Sequence, residues 1–141
     1  MTLKYSVTVN TGRLNAIESG TPASPTLRIY KGTEPAIGVA ATASDLLVKI
    51  PLAADWMGAP TGSAPNVLAA KTAAAWSAAA TATGTATWFR IGATGVDETV
   101  VGHVQGSCGQ GAGDMSFDNS AINSGQTVTV NTFSITAGNQ A

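Results

Sequence analysis

The segment from Trp76 to Ile91, WSAAATATGTATWFRI, decides which fold class is open to this chain. Its alanines are typical of a helix, but Gly84 and the threonines would cost a helix about 3–4 kcal/mol relative to alanine. The segment also lacks an apolar stripe at the three- and four-residue spacing of an amphipathic helix. Small and polar residues alternate up to Gly84, and the chain then resumes towards an aromatic run. We therefore predict strands here, with small side chains that allow another sheet or subunit to pack closely.

The same two-residue period recurs after the N-terminal quarter of the chain. In TLRIYKG, Leu27 and Ile29 fall on one face of a half-buried strand and Arg28 on the other. In SDLLVKIPL, the apolar residues at even-numbered positions 46–52 share one face. Pro51 indicates that this strand ends there or lies at a sheet edge, because proline cannot donate to a central ladder.

The strongest strand signal is SGQTVTVNTFSITAG, near the C-terminus. Its apolar residues are even-numbered at Val128 and Val130 but odd-numbered at Phe133 and Ile135. One residue has been inserted in the pattern, so we predict a β-bulge or sharp bend around residues 131–132. Weaker candidate strands are NVLAAK, ETVVGHVQG and DMSFDN, while AADWMGAPTGSAP and the glycine-rich GSCGQGAG are predicted to be loops.

The N-terminal residues differ from the rest of the chain. The segment YSVTV predicts an extended arm, and a short helix of about two turns follows it, with Asn10 or Thr11 as its N-cap. Leu14 and Ile17 form one apolar face, and Gly20 marks the end of the helix. A helix this short is unstable alone in water, so its apolar face must dock on the domain or on a neighbour.

Together these segments indicate an all-β fold with seven or eight short strands. Strands of this length, separated by turn signals at similar spacing, are typical of a jelly-roll-like β-sandwich. We expect two parts: an N-terminal arm and short helix over residues 1–24, and a single β-sandwich domain over residues 25–141.

Composition limits the partners. Only 11% of residues are charged and the formal net charge is −1, against about 25% charged residues in ordinary soluble domains. No basic cluster is available for phosphate contacts, which argues against nucleic acid as a partner. We find no signal-peptide pattern and no apolar run long enough to span a membrane. A surface rich in small uncharged residues suits assembly, so the composition favours a structural role.

Few residues could support catalysis. His103 is the only histidine and Cys108 the only cysteine, so no internal disulfide is possible. A Ser-His-Asp or Cys-His centre would have to use His103, with Cys108 as a candidate nucleophile. They cannot make a zinc site without carboxylates. Asp97 and Glu98 are adjacent, and neighbours in a strand point to opposite faces, so they do not form the carboxylate pair of a glycosidase. We predict that the protein is not an enzyme and needs no cofactor.

A cation site is a weaker alternative. Asp114, Asp118 and Asn119 could bind calcium together with backbone carbonyls, although spaced carboxylates beside a turn are common in proteins that bind no metal. The glycine-rich segment before them lacks the lysine and the strand–turn–helix context of a phosphate-binding loop.

Two regions are candidates for contact with a partner. Trp56 and Met57 lie in a loop rich in proline and glycine, where they either anchor the loop in the core or contact a partner, since Trp and Met are over-represented in interfaces. The N-terminal arm and helix form the other region. The candidate contact residues are Tyr5, Arg13, Leu14, Ile17, Trp56 and Met57.

Several segments, in order along nearly the whole chain, resemble small virion proteins of tailed bacteriophages: RLNAIESG, LRIYKG, LLVKIPLAADWM, TATGTATWFRI, GHVQGS and GDMSFDNSAINSGQTVTVNTFSITAGN. The resemblance is in particular to the head cement (decoration) proteins of double-stranded DNA phages. It implies a jelly-roll-like fold on the outer surface of an icosahedral capsid, bound to neighbouring copies of the major capsid protein. It also implies a homo-oligomer such as a dimer, and it carries over no catalytic residue.

Three hypotheses follow. The first is a structural cement protein that strengthens the head and contacts neither DNA nor a membrane. The second is a structural protein of the phage tail or neck. The third is a carbohydrate-binding module of the jelly-roll type, in which Trp56 would stack on a sugar and Asp114 or Asp118 would hold calcium.

Overall fold

The computed structural model describes residues 3–63, 66–94 and 104–138, and it is an all-β sandwich with one N-terminal helix. The helix is α1 (Val7–Ser19) and a short 3-10 turn covers Ala43–Asp45. The strands are β1 (Thr26–Tyr30), β2 (Leu46–Pro51), β3 (Thr61–Ser63), β4 (Asn66–Ala70), β5 (Ser77–Ala79), β6 (Gly84–Thr85), β7 (Trp88–Gly92), β8 (Val104–Gln110), β9 (Met115–Phe117), β10 (Ala121–Ile122) and β11 (Thr127–Gly138).

One mixed sheet folds over on itself to make both layers. Its strand order is β2-β1-β7-β8-β9-β11-β4-β3, β5 pairs with the start of β11, and β6 and β10 form a separate two-stranded ribbon. The pairing of β8 with β9 is parallel. Phe89 of β7 and Phe133 of β11 meet edge to face, with ring centroids 5.6 Å apart, although their strands are not neighbours. The apolar faces of the two halves therefore bury one common core.

The segment Trp76–Ile91 contains no helix, which confirms the prediction of strands. It supplies β5, β6 and most of β7. β7 is central in the sheet and buried on both faces, and its aromatic and aliphatic residues fit that position. The threonines and Gly84 lie between β5 and β7, in the more exposed part of the segment. A helix formed here would have no apolar face with which to dock on the core.

β1 and β2 form where the alternation predicts them. β2 is the terminal strand of the sheet order, as Pro51 indicates. β1 is buried on both faces, whereas the alternation predicted a half-buried strand. Arg28 is only 4% exposed, and one of its guanidinium nitrogens donates to the Ala93 carbonyl at 3.2 Å.

The irregularity in β11 is also confirmed. Val130 pairs with Phe117 of β9, and Thr132 pairs with the next residue along, Ser116. Asn131 is therefore an extra residue on β11, which is the definition of a β-bulge. Because of the bulge, Val130 and Phe133 both face the core although they are three residues apart.

The N-terminal prediction was wrong in its boundaries. Helix α1 has 13 residues and begins at Val7, so only residues 3–6 form the extended arm. Ser6, rather than Asn10 or Thr11, is the N-cap, and its hydroxyl accepts a hydrogen bond from the Val9 amide at 3.2 Å. The β-branched residues of YSVTV favoured a strand, but the serine cap and docking of the helix on β4 and β11 outweigh that preference. The helix ends at Gly20, as predicted.

The glycine-rich segment is not the flexible turn that we predicted over its whole length. Residues 106–110 belong to β8, and the turn is confined to the residues between β8 and β9. A Cβ on Gly106 would lie 2.8 Å from a carboxylate oxygen of Asp114 and 3.1 Å from the Phe89 ring. Glycine is therefore needed here for close packing rather than for a turn. The loop AADWMGAPTGSAP likewise contains a short strand, β3.

Leu14 of α1 belongs to the same hydrophobic cluster as the sheet residues. The division of the chain at residue 24 remains a prediction. Within the described ranges, no helix is long and apolar enough to cross a membrane.

Candidate interaction surfaces

Trp56 and Met57 are core residues, which corrects their assignment as partner contacts. Trp56 is 1% exposed and its ring lies 6.0 Å from that of Trp76 and 6.3 Å from that of Phe133. The backbone amide of Met57 donates to a carboxylate oxygen of Glu18 on α1 at 2.9 Å. The loop is thus anchored both to the aromatic core and to the helix, and it presents neither side chain to a partner.

The N-terminal candidates divide into two groups. Leu14 is buried and Ile17 is partly buried against the core, so the apolar face of α1 docks on its own domain. Tyr5 and Arg13 remain at the surface, where the Arg13 guanidinium lies 5.1 Å from the centre of the Tyr5 ring. An Arg13 nitrogen also donates to the Asn10 side chain at 3.1 Å. Of the four predicted N-terminal contacts, Tyr5 and Arg13 are thus the ones open to a partner.

The first turn of α1 and the arm before it expose a run of apolar side chains. We call Leu3, Tyr5, Val7 and Val9 the N-terminal apolar surface; Leu3 is 71% exposed. Sequence reasoning missed Val7 and Val9 because it placed them in an extended arm. Their exposure follows from the helix, since α1 turns Leu14 and Ile17 inward and the first-turn valines outward.

A second apolar surface lies on the loop of residues 31–45, here called the flap. Ile37 is 61% exposed and Val39 53% exposed. Sequence reasoning missed this surface, although the apolar run PAIGVAA between two strands was a signal, because loops between strands are ordinarily polar.

Hydrogen bonds from the sheet hold the flap in place. Arg90 is 2% exposed, and its Nε and Nη2 both donate to the Gln105 side-chain oxygen, at 3.0 and 2.7 Å. Arg90 Nη2 also donates to the Val39 carbonyl at 3.0 Å, and the Gln105 amide donates to the Pro35 carbonyl at 2.5 Å. The Trp88 indole donates to the Lys31 carbonyl at 3.2 Å. The flap therefore presents its apolar residues from a fixed support.

A groove separates the first half of β8 from the last half of β11. Its volume is about 630 Å³, and its apolar floor includes Ile17, Phe89 and Ile135. Gln105 and Asp114 lie at its rim.

The buried environment of Cys108 does not suit a nucleophile. The Cys108 thiol is 7% exposed, and burial, with a smaller contribution from the Glu34 carboxylate, raises its pKa to about 12. The thiol is therefore protonated at neutral pH, and a protonated thiol is a poor nucleophile. The pairing of His103 with Cys108 cannot be placed, since His103 lies outside the described residues, as do Asp97 and Glu98.

Two of the three proposed calcium ligands, Asp114 and Asn119, already accept structural hydrogen bonds. Asp114 Oδ2 accepts from the Ser107 amide at 2.9 Å and from the Ser107 hydroxyl at 2.8 Å. The Asn119 side-chain oxygen accepts from the Ala121 amide at 3.0 Å. Over residues 3–63, 66–94 and 104–138, no three His, Cys, Asp or Glu side chains lie close enough together to hold a metal ion.

Comparisons with protein-family models, with curated proteins and with solved structures found no match to this chain.

Proposed function

We propose that this protein is a structural virion protein that binds the outer surface of an icosahedral phage head. There it joins neighbouring copies of the major capsid protein and strengthens the shell against the pressure of packaged DNA. It associates with itself and runs no reaction. The proposal combines the resemblance to phage cement proteins with the physical character of the two exposed apolar surfaces.

The observation that carries the proposal is the exposure of apolar side chains at two separate places, one of them held by hydrogen bonds from the sheet. The flap exposes Ile37 and Val39 over a buried Arg90–Gln105 support. The N-terminal apolar surface exposes Leu3 on an arm beside a docked helix. Exposed apolar residues on a rigid support are typical of protein–protein contact sites. A cement protein needs two such surfaces, because it must hold more than one neighbour.

The size of the molecule is compatible with several contacts. Its accessible surface is 7070 Å², and a standard interface buries about 800 Å² per partner. The chain can therefore contact about two or three neighbours and keep most of its surface in solvent. On a closed shell these contacts act together, so that individually weak interfaces give strong retention through effective concentration.

The buried state of Cys108 supports the non-enzymatic part of the proposal. A thiol with a pKa of about 12 supplies almost no thiolate at neutral pH. The Asp114 carboxylate is engaged in hydrogen bonds with the Ser107 amide and hydroxyl.

Trp56, the principal residue of the carbohydrate-binding alternative, is not accessible to a sugar. Stacking on a sugar requires an accessible aromatic face, and Trp56 is buried among Trp76 and Phe133. A glycan array with and without a calcium chelator tests this alternative directly. Calcium-dependent binding would favour it over the capsid role. The tail or neck alternative uses the same two surfaces and differs only in location.

The capsid role is tested on particles that lack the protein. We expect such particles to assemble and then to lose DNA on heating or in low salt at conditions that normal particles survive. Adding back the purified protein should restore resistance. If particles without the protein are as robust as normal ones, the cementing role is wrong. Antibody labelling of intact particles separates the head from the tail, because only the head should be labelled.

The flap is tested by substitution. The double variant Ile37→Ser, Val39→Ser should rebind to depleted particles at least about tenfold more weakly, since each lost apolar contact removes roughly 1.5–3 kcal/mol when it is fully buried. Leu68→Ser is the matched control, because Leu68 is an exposed apolar residue of β4 away from the flap. Equal binding by the flap variant and the normal protein would exclude the flap as the capsid contact.

A further inference from the structure

The groove between β8 and β11 lies where no strand of the described residues joins the two. β9 pairs with β11 as far as Met115, which lies opposite Phe133. Beyond that point, residues 134–138 of β11 pair with β4 on one side, and no described strand lies on the other. Residues 104–107 of β8 pair with β7 on one side. On the other side Ser107 is already bonded to Asp114, whose carboxylate accepts from the Ser107 amide at 2.9 Å and whose amide donates to the Ser107 carbonyl at 3.0 Å, so the unpaired edge of β8 lies before Ser107. The groove of about 630 Å³ lies between these two edges.

The chemistry of the groove suits an extended polypeptide. The Lys71 amide donates to the Phe133 carbonyl at 2.9 Å, so the main-chain groups of Phe133 point towards β4. Main-chain groups alternate in direction along an antiparallel strand, and those of Thr136 therefore point into the groove. An added strand can pair with such an edge, whereas a small apolar ligand would leave its polar groups without hydrogen bonds.

The N-terminal arm has the complementary pattern. Residues 3–6 lie outside every strand of the described sheet, and the Ser6 backbone is extended, with φ −69° and ψ 163°. Leu3 and Tyr5 are two residues apart, so an extended arm can present both on one face, which suits a groove lined by Phe89 and Ile135. The Tyr5 ring packs against Arg13 in the single chain, and it exchanges this contact for the groove when the arm binds. Lys4 between them complements Asp114, an acidic residue at the rim of the groove.

The arm does not fill the groove of its own chain. Leu3 is 71% exposed and Tyr5 is 38% exposed, and none of residues 3–6 lines the groove. The groove is therefore open to a segment of another molecule.

We propose that residues 3–6 of a second copy of this chain add as a strand in the groove beside Ser134 and Thr136, with Lys4 next to Asp114. The exchange is reciprocal and gives a two-fold symmetric dimer in which each arm completes the partner's sheet. The inference rests on the self-association included in the proposed function, and it names the segment and the groove that mediate it.

Disulfide trapping tests the contact in the full-length protein. In a Cys108→Ala background, the double variant Lys4→Cys, Asp114→Cys should form disulfide-linked dimers on mild oxidation. Lys4→Cys with Asp118→Cys is the matched control, because Asp118 is an exposed acid just after β9 that does not line the groove. Trapping in the first variant and not in the second supports the proposal.

Light scattering after gel filtration tests the energetics. The variant Leu3→Ser, Tyr5→Ser should shift the dimer dissociation constant upward at least tenfold, while Val7→Ser, Val9→Ser, which alters equally apolar residues on the helix, should leave it unchanged. A normal protein that is monomeric at millimolar concentration would overturn the proposal. A dimer unaffected by the arm substitutions would overturn it as well, as would a particle map in which another protein's strand fills the groove.

The experiments can contradict the capsid role or the arm exchange without contradicting the other. Loss of particle binding with an arm-linked dimer intact counts against the capsid role alone. Robust particle binding by a protein whose arms do not cross-link counts against the arm exchange alone.

Discussion

At the scale of single residues, burial changes the chemistry of the side chains that looked most reactive. Cys108 is the only cysteine and the candidate nucleophile for His103, yet its thiol lies inside the sandwich with its pKa raised from 9.0 to about 12, mainly by desolvation. Burial disfavours the charged thiolate, because the interior cannot solvate it as water does. The residue therefore acts as a small apolar group in the core.

The raised pKa predicts a specific loss of stability in alkali. Between pH 9 and pH 12 the unfolded chain releases the Cys108 proton while the folded chain retains it, so rising pH favours the unfolded state. This contribution is fully present below pH 9, and of the order of 4 kcal/mol is lost by pH 12. Urea titrations across this range measure it. Cys108→Ala should lack this part of the pH dependence, and an identical pH profile for both proteins would contradict the prediction.

Arg90 is a buried charge whose role is to fasten the flap. Its guanidinium donates to Gln105 and to the Val39 carbonyl and lies 5.3 Å from the centre of the Trp88 ring. Its Nη1 atom is buried without a hydrogen-bond partner among the described residues. A planar group with several donors can satisfy both acceptors together, which a lysine ammonium cannot do with the same geometry.

Substituting Arg90 by lysine should therefore destabilise the fold. We expect Arg90→Lys to lower the free energy of unfolding by about 1–3 kcal/mol, because at least one buried acceptor loses its donor. Arg13→Lys, on the exposed side of α1, should stay within about 0.5 kcal/mol of the normal protein. Urea denaturation measures both, and equal effects at the two sites would show that the flap bonds contribute nothing.

At the scale of elements, α1 shows how a local cap overrides a strand-like composition. The valines and threonine at its start have low helix propensity, but Ser6 satisfies the Val9 amide and the helix docks through Leu14. Tertiary docking explains why the helix extends to 13 residues, since propensity alone would not sustain it.

Removing the cap should weaken the helix measurably. Ser6→Ala should lower the free energy of unfolding by about 1 kcal/mol, because the Val9 amide loses its acceptor. Ser19→Ala, at the exposed C-terminal end of α1, should have an effect below about 0.5 kcal/mol. Chemical denaturation followed by circular dichroism measures the difference. If both serines prove equally tolerant, the Ser6 cap contributes no stability.

The bulge in β11 is the second decisive local feature. Because Asn131 is the extra residue, Val130 and Phe133 can both face the core although their spacing is odd. Side chains alternate strictly along a regular strand, so removal of one residue turns every later side chain to the opposite face.

Deletion of Asn131 should therefore be severe. The shift would turn Phe133 outward and remove it from contact with Trp56 and Phe89, with an expected loss of about 3–5 kcal/mol. Deletion of Ala40 from the exposed flap is the matched control and should be tolerated. Near-UV circular dichroism reports aromatic packing, and a normal spectrum for the Asn131 deletion would refute the role of the bulge.

At the scale of the whole molecule, the sandwich is held together by an aromatic cluster that links distant parts of the chain. Trp56 comes from a loop, Trp76 precedes β5 and Phe133 lies on β11, yet their ring centroids are within 6.3 Å of one another. Phe89 joins the cluster from the opposite layer. The loop that carries Trp56 thus contributes to global stability.

Truncating Trp56 tests this global role. Trp56→Ala should lower the free energy of unfolding by about 3–5 kcal/mol through the cavity that it leaves. Leu68→Ala, at an exposed apolar position of β4, should cost less than about 1 kcal/mol. Thermal and urea denaturation measure both variants. A small effect at Trp56 would show that the aromatic cluster is not the centre of the core.

The sequence by itself determined the strands, because the two-residue period records which side chains face the core: it predicted β1, β2, β7 and β11, the edge position of Pro51 and the bulge at residues 131–132. It did not determine the start of α1, the burial of Trp56 and Met57, or the flap. Those depend on which segments become neighbours once the chain folds, as when Arg90 of β7 donates to the Val39 carbonyl of the flap. The two-residue period can be read from neighbouring residues in the sequence. Which apolar residues stay exposed depends instead on how distant segments of the chain pack together.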